Sequence, residues 1–195
     1  MIARAVRRRD EEKERRILAG TLALVAQQGL AGLSMEAVAR AAGVAIGTVY
    51  IYFESKEALL NALYLETKRA FSREVLGEVG VSGPVRPTFE RMCVAYMKYV
   101  SAHRAEMLFM QQFRNSPFVL EQTLAASEDA AAPLVALLER GKAEGLLKDV
   151  PTPLMLAFLQ ATLAELTAYV GNEPTRQHRE RYAQIARLAW DALKA

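Results

Sequence analysis

The chain has 195 residues, 52% of them hydrophobic and 24% charged, a composition that supports a packed core and excludes a disordered or fibrous chain. A single cysteine, Cys93, excludes an internal disulfide and fits a reducing compartment. The formal net charge of +3 gives no general polyanion-binding signal.

In chain order, the first feature is where that charge sits. Within residues 1–16, Arg4, Arg7, Arg8, Arg9, Lys13, Arg15 and Arg16 face only Asp10, Glu11, Glu12 and Glu14, so this arm carries the whole formal charge of +3. A basic arm attracts phosphate by releasing counterions, although a solvated, frayed terminus has the same composition. A first helix is expected from about Asp10 to Gln28, with Ile17, Leu18, Leu22, Leu24 and Val25 on its apolar stripe and Gly29 as its stop. The apolar run Ile17–Ala26 imitates a signal peptide, but four acids precede it and no small-residue cleavage site follows.

The stretch from Gly32 to Leu63 is the most informative. Ser34 can cap a short helix from about Met35 to Ala42, and Gly43 stands where the chain must turn sharply. A second short helix, about Ala45 to Tyr52, follows at once. Ser55 then caps a long helix through Lys56, Leu59, Leu60 and Leu63. Two short helices joined by a glycine turn form a helix-turn-helix, whose second helix can enter a major groove. Val38, Ala39, Ala42, Val44 and Val49 have the spacing to press the two helices together. Thr48, Tyr50, Ile51, Tyr52 and Lys56 mix groups that bond phosphate with groups that touch base edges, where a methyl-bearing side chain can pack on a thymine methyl. An ordinary helical hairpin would share the spacing.

Gly43, Val44, Ala45, Gly47, Thr48, Val49, Tyr50, Tyr52 and Phe53, followed by Ser55, Lys56, Glu57 and Leu59, carry a family resemblance. The stretch resembles the DNA-binding region of tetracycline-repressor-type (TetR family) transcription regulators. The resemblance covers about residues 10–65; beyond them it rests on length and helical character. It implies that Thr48, Tyr50, Tyr52 and Lys56 contact the DNA backbone, with a further phosphate contact from Ser34. It also implies that Ile46, Gly47 and Ile51 lie at or near base edges. The sequence departs from the pattern in two respects. Ala45 replaces the usual serine or threonine, a missing cap that costs about 1 kcal/mol. Ile46 and Ile51 are apolar where polar readers are usual, which shifts specificity toward hydrophobic contact or DNA shape.

Residues 84–195 contain no phosphate loop, repeat or metal-ligand cluster. A helix is expected near Pro87, a second through Met107 and Phe113, and a third opened by Ser116-Pro117 and bent or broken at Pro133. Thr152-Pro153 and Glu173-Pro174 open the last two helices, about 153–170 and 175–194. Pro153–Val170 is long and apolar, yet Gln160 and Glu165 favour a packed helix over a membrane span. Met92, Tyr96, Met107, Met110, Phe113 and Phe118 are either core packing or the walls of a ligand cavity. The resemblance favours a cavity for a small, hydrophobic effector. The wide apolar faces of the last two helices are wider than one chain need bury, and the resemblance implies that they pair in a homodimer.

His103, His178 and Cys93 have no sequence-local partners for catalysis, and no catalytic residue, cofactor or metal is expected. The expectation is an all-α chain with an N-terminal helix-turn-helix three-helix domain, residues 1–53, followed by a larger helical ligand-sensing and dimerisation domain, residues 54–195. The expected function is a cytoplasmic regulator that binds double-stranded DNA at a palindromic operator, most simply as a repressor released by its effector. The alternative is a helical small-molecule binding or scaffold protein without specific DNA recognition.

Overall fold

Leucine, alanine and the long charged residues lose little rotamer freedom in a helix, and they dominate this chain. The computed structural model describes residues 2–77, 82–128, 131–171 and 176–195. Among these the regular elements are α1 (Ile2–Gln28), α2 (Met35–Ala42), α3 (Ile46–Tyr52), α4 (Lys56–Gly77), α5 (Val85–Ala102), α6 (Arg104–Arg114), α7 (Glu121–Glu128), α8 (Ala132–Ala143), α9 (Thr152–Val170) and α10 (Arg176–Leu193). The backbone of α1 begins earlier than its apolar stripe suggests. The side chains of Arg4, Arg7, Arg8 and Arg9 lie outside the described residues, as does Glu173-Pro174.

The helices form two compact units, Met1–Thr67 with Ala105–Ala126, and Lys68–Arg104 with Ser127–Ala195. This differs from a single cut after residue 53. The reason is packing: Leu59, Leu60, Leu63 and Tyr64 of α4, with Phe109 and Phe113 of α6, share one buried cluster with Ile17, Val38 and Val49. The first half of α4 therefore belongs with the helix-turn-helix, and so do α6 and most of α7.

In the first unit α1 packs on α2 and α2 on α3. The buried Asn61 of α4 is fully used. Its Nδ2 donates to the carbonyls of Glu57 (2.7 Å) and Phe118 (2.8 Å), and its Oδ1 accepts from the Leu120 amide (3.1 Å). These bonds tie Phe118 and Leu120 to α4, and Ser116-Pro117 leads into a turn rather than opening a helix. Instead the Ser116 hydroxyl donates to the Phe113 carbonyl (2.8 Å) and closes the turn after α6. α7 starts only at Glu121.

In the second unit α5 packs on α9 and α10, these two pack on each other, and α8 lies against α5 and α9. Phe89 meets Trp190 edge to face at 5.5 Å between ring centroids. The Ser101 and Tyr182 hydroxyls are hydrogen-bonded at 2.6 Å. Pro133 sits in the first turn of α8, where its missing N–H costs nothing, so it stands at the start of a helix rather than bending one. By length and composition α9 could cross a membrane. It nevertheless buries Met155, Leu159, Leu163, Thr167 and Val170 within this unit, while Leu154, Phe158 and Tyr169 remain exposed.

Candidate nucleic-acid interface and apolar cavity

The turn between α2 and α3 is set by three local devices. Ser34 Oγ accepts from the Ala37 amide (3.1 Å) and caps α2 at its start. Gly43 ends it with φ 64°, its amide donating to the Arg40 carbonyl (3.2 Å) while the Val44 amide donates to Ala39 (3.0 Å), the paired bonds of a Schellman motif. The Arg16 guanidinium of α1 donates to the carbonyls of Ala42 and Gly43, which holds the turn against α1. One of the seven cations of the N-terminal arm thus serves the fold. As the sequence suggests, Ala45 offers α3 no side-chain cap.

Among the described residues α3 is anchored by one fully buried side chain, Val49. Four of its residues face outward: Ile51 is 81% exposed, Tyr50 49% and Ile46 39%, and Gly47 is exposed too. A Cβ added at Gly47 would meet nothing within 4 Å, so no packing inside the fold requires glycine there. Thr48 and Tyr52 are half-buried at the edge of α3, and Ser34 is exposed at the start of α2. Lys56, in the first turn of α4, holds its Nζ over the Phe118 ring at 5.0 Å from the centroid. Ile46, Gly47, Tyr50 and Ile51 therefore form one outward surface, with Thr48 and Tyr52 beside it.

The second unit contains a cavity of about 90 Å³. Lys68, Phe71, Val75 and Leu76 of α4 line it together with Met92, Cys93 and Tyr96 of α5, Leu134 of α8, and Leu156, Leu159, Gln160 and Leu163 of α9. Burial pushes the Tyr96 hydroxyl up to about 12 and, with Glu90 adding to it, pushes the Cys93 thiol up to about 12. Both groups are neutral at physiological pH, so the polar handles in an apolar wall are Lys68, Gln160 and the protonated Tyr96 hydroxyl. Lys68 Nζ stands 6.0 Å from the Phe71 ring centroid. The volume is well below the roughly 300–1,000 Å³ usual for a drug-sized ligand.

Of the six residues expected to wall one cavity, Met92 and Tyr96 line this one. Phe113, Met110 and Phe118 instead pack in or against the cluster of the first unit, and Met107 is half-buried on α6. Met110 and Phe113 do share a face of α6, and that face meets the helix-turn-helix core. Sequence reasoning missed Phe71, Leu134 and Leu163 as cavity walls and Asn61 as a buried clamp. The signal for the first was the run Lys68, Phe71, Val75 and Leu76 along one face of α4. Among the described residues no cluster of His, Cys, Asp and Glu could hold a metal ion.

A helix-turn-helix with an outward second helix, in a chain that also forms a helical unit around an apolar cavity, defines the class of DNA-binding transcription regulators. Residues 17–63 match the family of bacterial regulatory proteins of the tetR type, and residues 84–194 match the tetracycline-repressor-like C-terminal domain. The chain belongs to the TetR family, and it is a regulator rather than an enzyme. It is 33% identical over 148 residues to the HTH-type transcriptional repressor KstR of Rhodococcus jostii, an alignment spanning 75% of this chain and just 66% of that protein's length. Among solved structures, a TetR family transcription regulator from Marinobacter aquaeolei superposes with a TM-score of 0.85 at 28% identity, over 96% of this chain and 98% of that one. One from Shewanella sp. gives 0.83 at 28% identity, over 94% and 98%.

Proposed function

We propose that this protein is a cytoplasmic, homodimeric repressor that holds a palindromic operator through α3 and lets it go when a small apolar effector enters the cavity of the second unit. The observation that carries the reading is the outward surface of α3: a seven-residue helix fixed by Val49, with Ile46, Tyr50 and Ile51 turned to solvent around an unpacked glycine. Thr48, Tyr50, Tyr52 and Lys56 hold phosphate oxygens, Ser34 adds a phosphate contact, and Ile46, Gly47 and Ile51 approach the bases. Gly47 lets the DNA come close to the helix backbone.

The second copy is supported by the apolar residues left exposed on the last two helices, Leu154, Phe158 and Tyr169 on α9 and Leu188 on α10. Pairing these helices across a two-fold axis makes a four-helix interface and sets two recognition helices about 34–36 Å apart, one turn of the duplex. The effector reaches Lys68, Phe71, Val75 and Leu76, the part of α4 that belongs to the second unit. A ligand larger than the cavity must widen it, and α4 continues from there into the helices that carry α3. Release requires that the effector bind the DNA-incompetent state better, and about 1.4 kcal/mol of coupling weakens DNA binding tenfold.

Selection of bound duplexes from a random pool, at two salt concentrations, tests this function. Enrichment of a palindrome that survives the higher salt is the expected result; recovery of unrelated sequences only, lost as salt rises, overturns it. On the selected duplex, Tyr50→Ala and Lys56→Ala should weaken binding by roughly tenfold each, about 1.4 kcal/mol, and deletion of residues 1–9 should flatten the salt dependence measured by fluorescence anisotropy. Gly47→Ala should raise the stability of α3 by about 0.5–1 kcal/mol, since alanine is the better helix former and the added Cβ meets open space. Gly47→Leu should leave the melting temperature near that of the natural chain and abolish selection of the palindrome.

A further inference from the structure

The seven residues of α3, Ile46 to Tyr52, include no amide, guanidinium, ammonium, imidazole or carboxylate. Those are the groups that distinguish bases by paired hydrogen bonds: arginine or lysine on guanine, asparagine or glutamine on adenine, aspartate or glutamate on cytosine. Apart from the Tyr50 phenol, what α3 turns outward is hydrocarbon. Ile51 is the most exposed side chain of the helix, Ile46 stands on the same outward surface, and between them Gly47 adds no bulk. The fold rewards Ile51 little, because β-branched isoleucine is only a moderate helix former and at 81% exposure it gains almost no burial, and Ile46 still leaves 39% of its surface open. Both isoleucines would gain burial against an apolar group on the partner. The major-groove edge of B-DNA offers one such group, the 5-methyl of thymine.

We propose that Ile51 and Ile46 read thymine methyl groups, so that each half of the operator carries thymine beneath each isoleucine and α3 itself discriminates bases by hydrocarbon contact. The inference rests on the reading that α3 enters the major groove. The two residues are five apart, about 7.5 Å along the helix axis and roughly two base steps. The methyls they reach belong to different base pairs.

The test uses the selected duplex and the full-length chain. Deoxyuridine replaces thymine one position at a time, in both halves, which removes the methyl and leaves every hydrogen-bonding group in place. At a contacted position the natural chain should bind roughly tenfold more weakly, given about 0.8 kcal/mol for each buried methyl-sized group and two halves. Ile51→Ala, at a solvent-exposed position, should show about the same loss on the thymine duplex and no further loss on the uracil duplex. The same should hold for Ile46→Ala at the second position. Equal affinity of the natural chain for every uracil duplex overturns the methyl reading while leaving DNA binding intact. A uracil penalty of the same size in the natural chain and in both variants also overturns it, because the methyl then acts through duplex shape. Failure to select any duplex overturns the DNA-binding reading beneath it.

Discussion

Phe113→Ala should lower the stability of the first unit by about 3–5 kcal/mol, the usual cost of removing a fully buried phenyl ring. Phe113 has no exposed surface, and its ring lies 5.1 Å from that of Tyr64 and 5.6 Å from that of Phe109 between centroids. Leu59, Leu60, Val38 and Val49 belong to the same cluster. Loss of the ring therefore loosens the support of α3 as well as α6, and DNA binding should fall with the melting temperature. Leu108→Ala is the matched control on the same helix: Leu108 is exposed, and its truncation should change stability by no more than about 0.5 kcal/mol. Thermal melts followed by far-ultraviolet circular dichroism separate the two variants. Equal, small effects would mean that Phe113 does not sit in a close-packed core.

Gly43→Ala should cost about 2 kcal/mol and damage DNA binding further than that loss alone explains. The left-handed backbone at φ 64° penalises an L side chain by roughly 1–2 kcal/mol. In addition, a Cβ at this position would stand 2.7 Å from Arg16 Nη2, displacing the guanidinium from the carbonyls of Ala42 and Gly43. The angle between α2 and α3 then loses its tether to α1. Asparagine tolerates this backbone region better than alanine, so Gly43→Asn should be less damaging in the backbone component. In an Arg16→Ala background Gly43→Ala should cost less than in the natural chain, because the contact is already gone. Strict additivity of the two substitutions in denaturant melts would show that the guanidinium and the turn are not coupled.

Much of the helix-turn-helix was legible because its signals are local. Ser34 as a cap, Gly43 as a turn and Val49 as the inward residue of α3 each depend on neighbours within a few positions, and capping and turn geometry are decided at that range. The absence of a cap at Ala45 was readable for the same reason. Asn61 was not readable, because its partners Phe118 and Leu120 lie almost sixty positions away and a lone asparagine in a leucine run does not name them. Ser116-Pro117 has the chemistry of a helix start, yet those distant bonds tie the following residues to α4 and the next helix starts only at Glu121.

The six candidate cavity residues illustrate the boundary between the two levels. The spacing of Met107, Met110 and Phe113 correctly places them on one face of a helix, since periodicity follows from the geometry of the helix itself. Periodicity carries no information about what that face meets. By itself the sequence determined an all-helical chain and a helix-turn-helix, because caps, turns and periodicity follow from short-range backbone chemistry. Only the tertiary structure decided that α6 packs with the helix-turn-helix, that α4 serves both units, and that the cavity is walled by Phe71, Leu134 and Leu163 beside Met92 and Tyr96. Those outcomes depend on how hydrophobic faces far apart in the chain pair off, and burial is non-directional: any apolar face is satisfied by any other that fits.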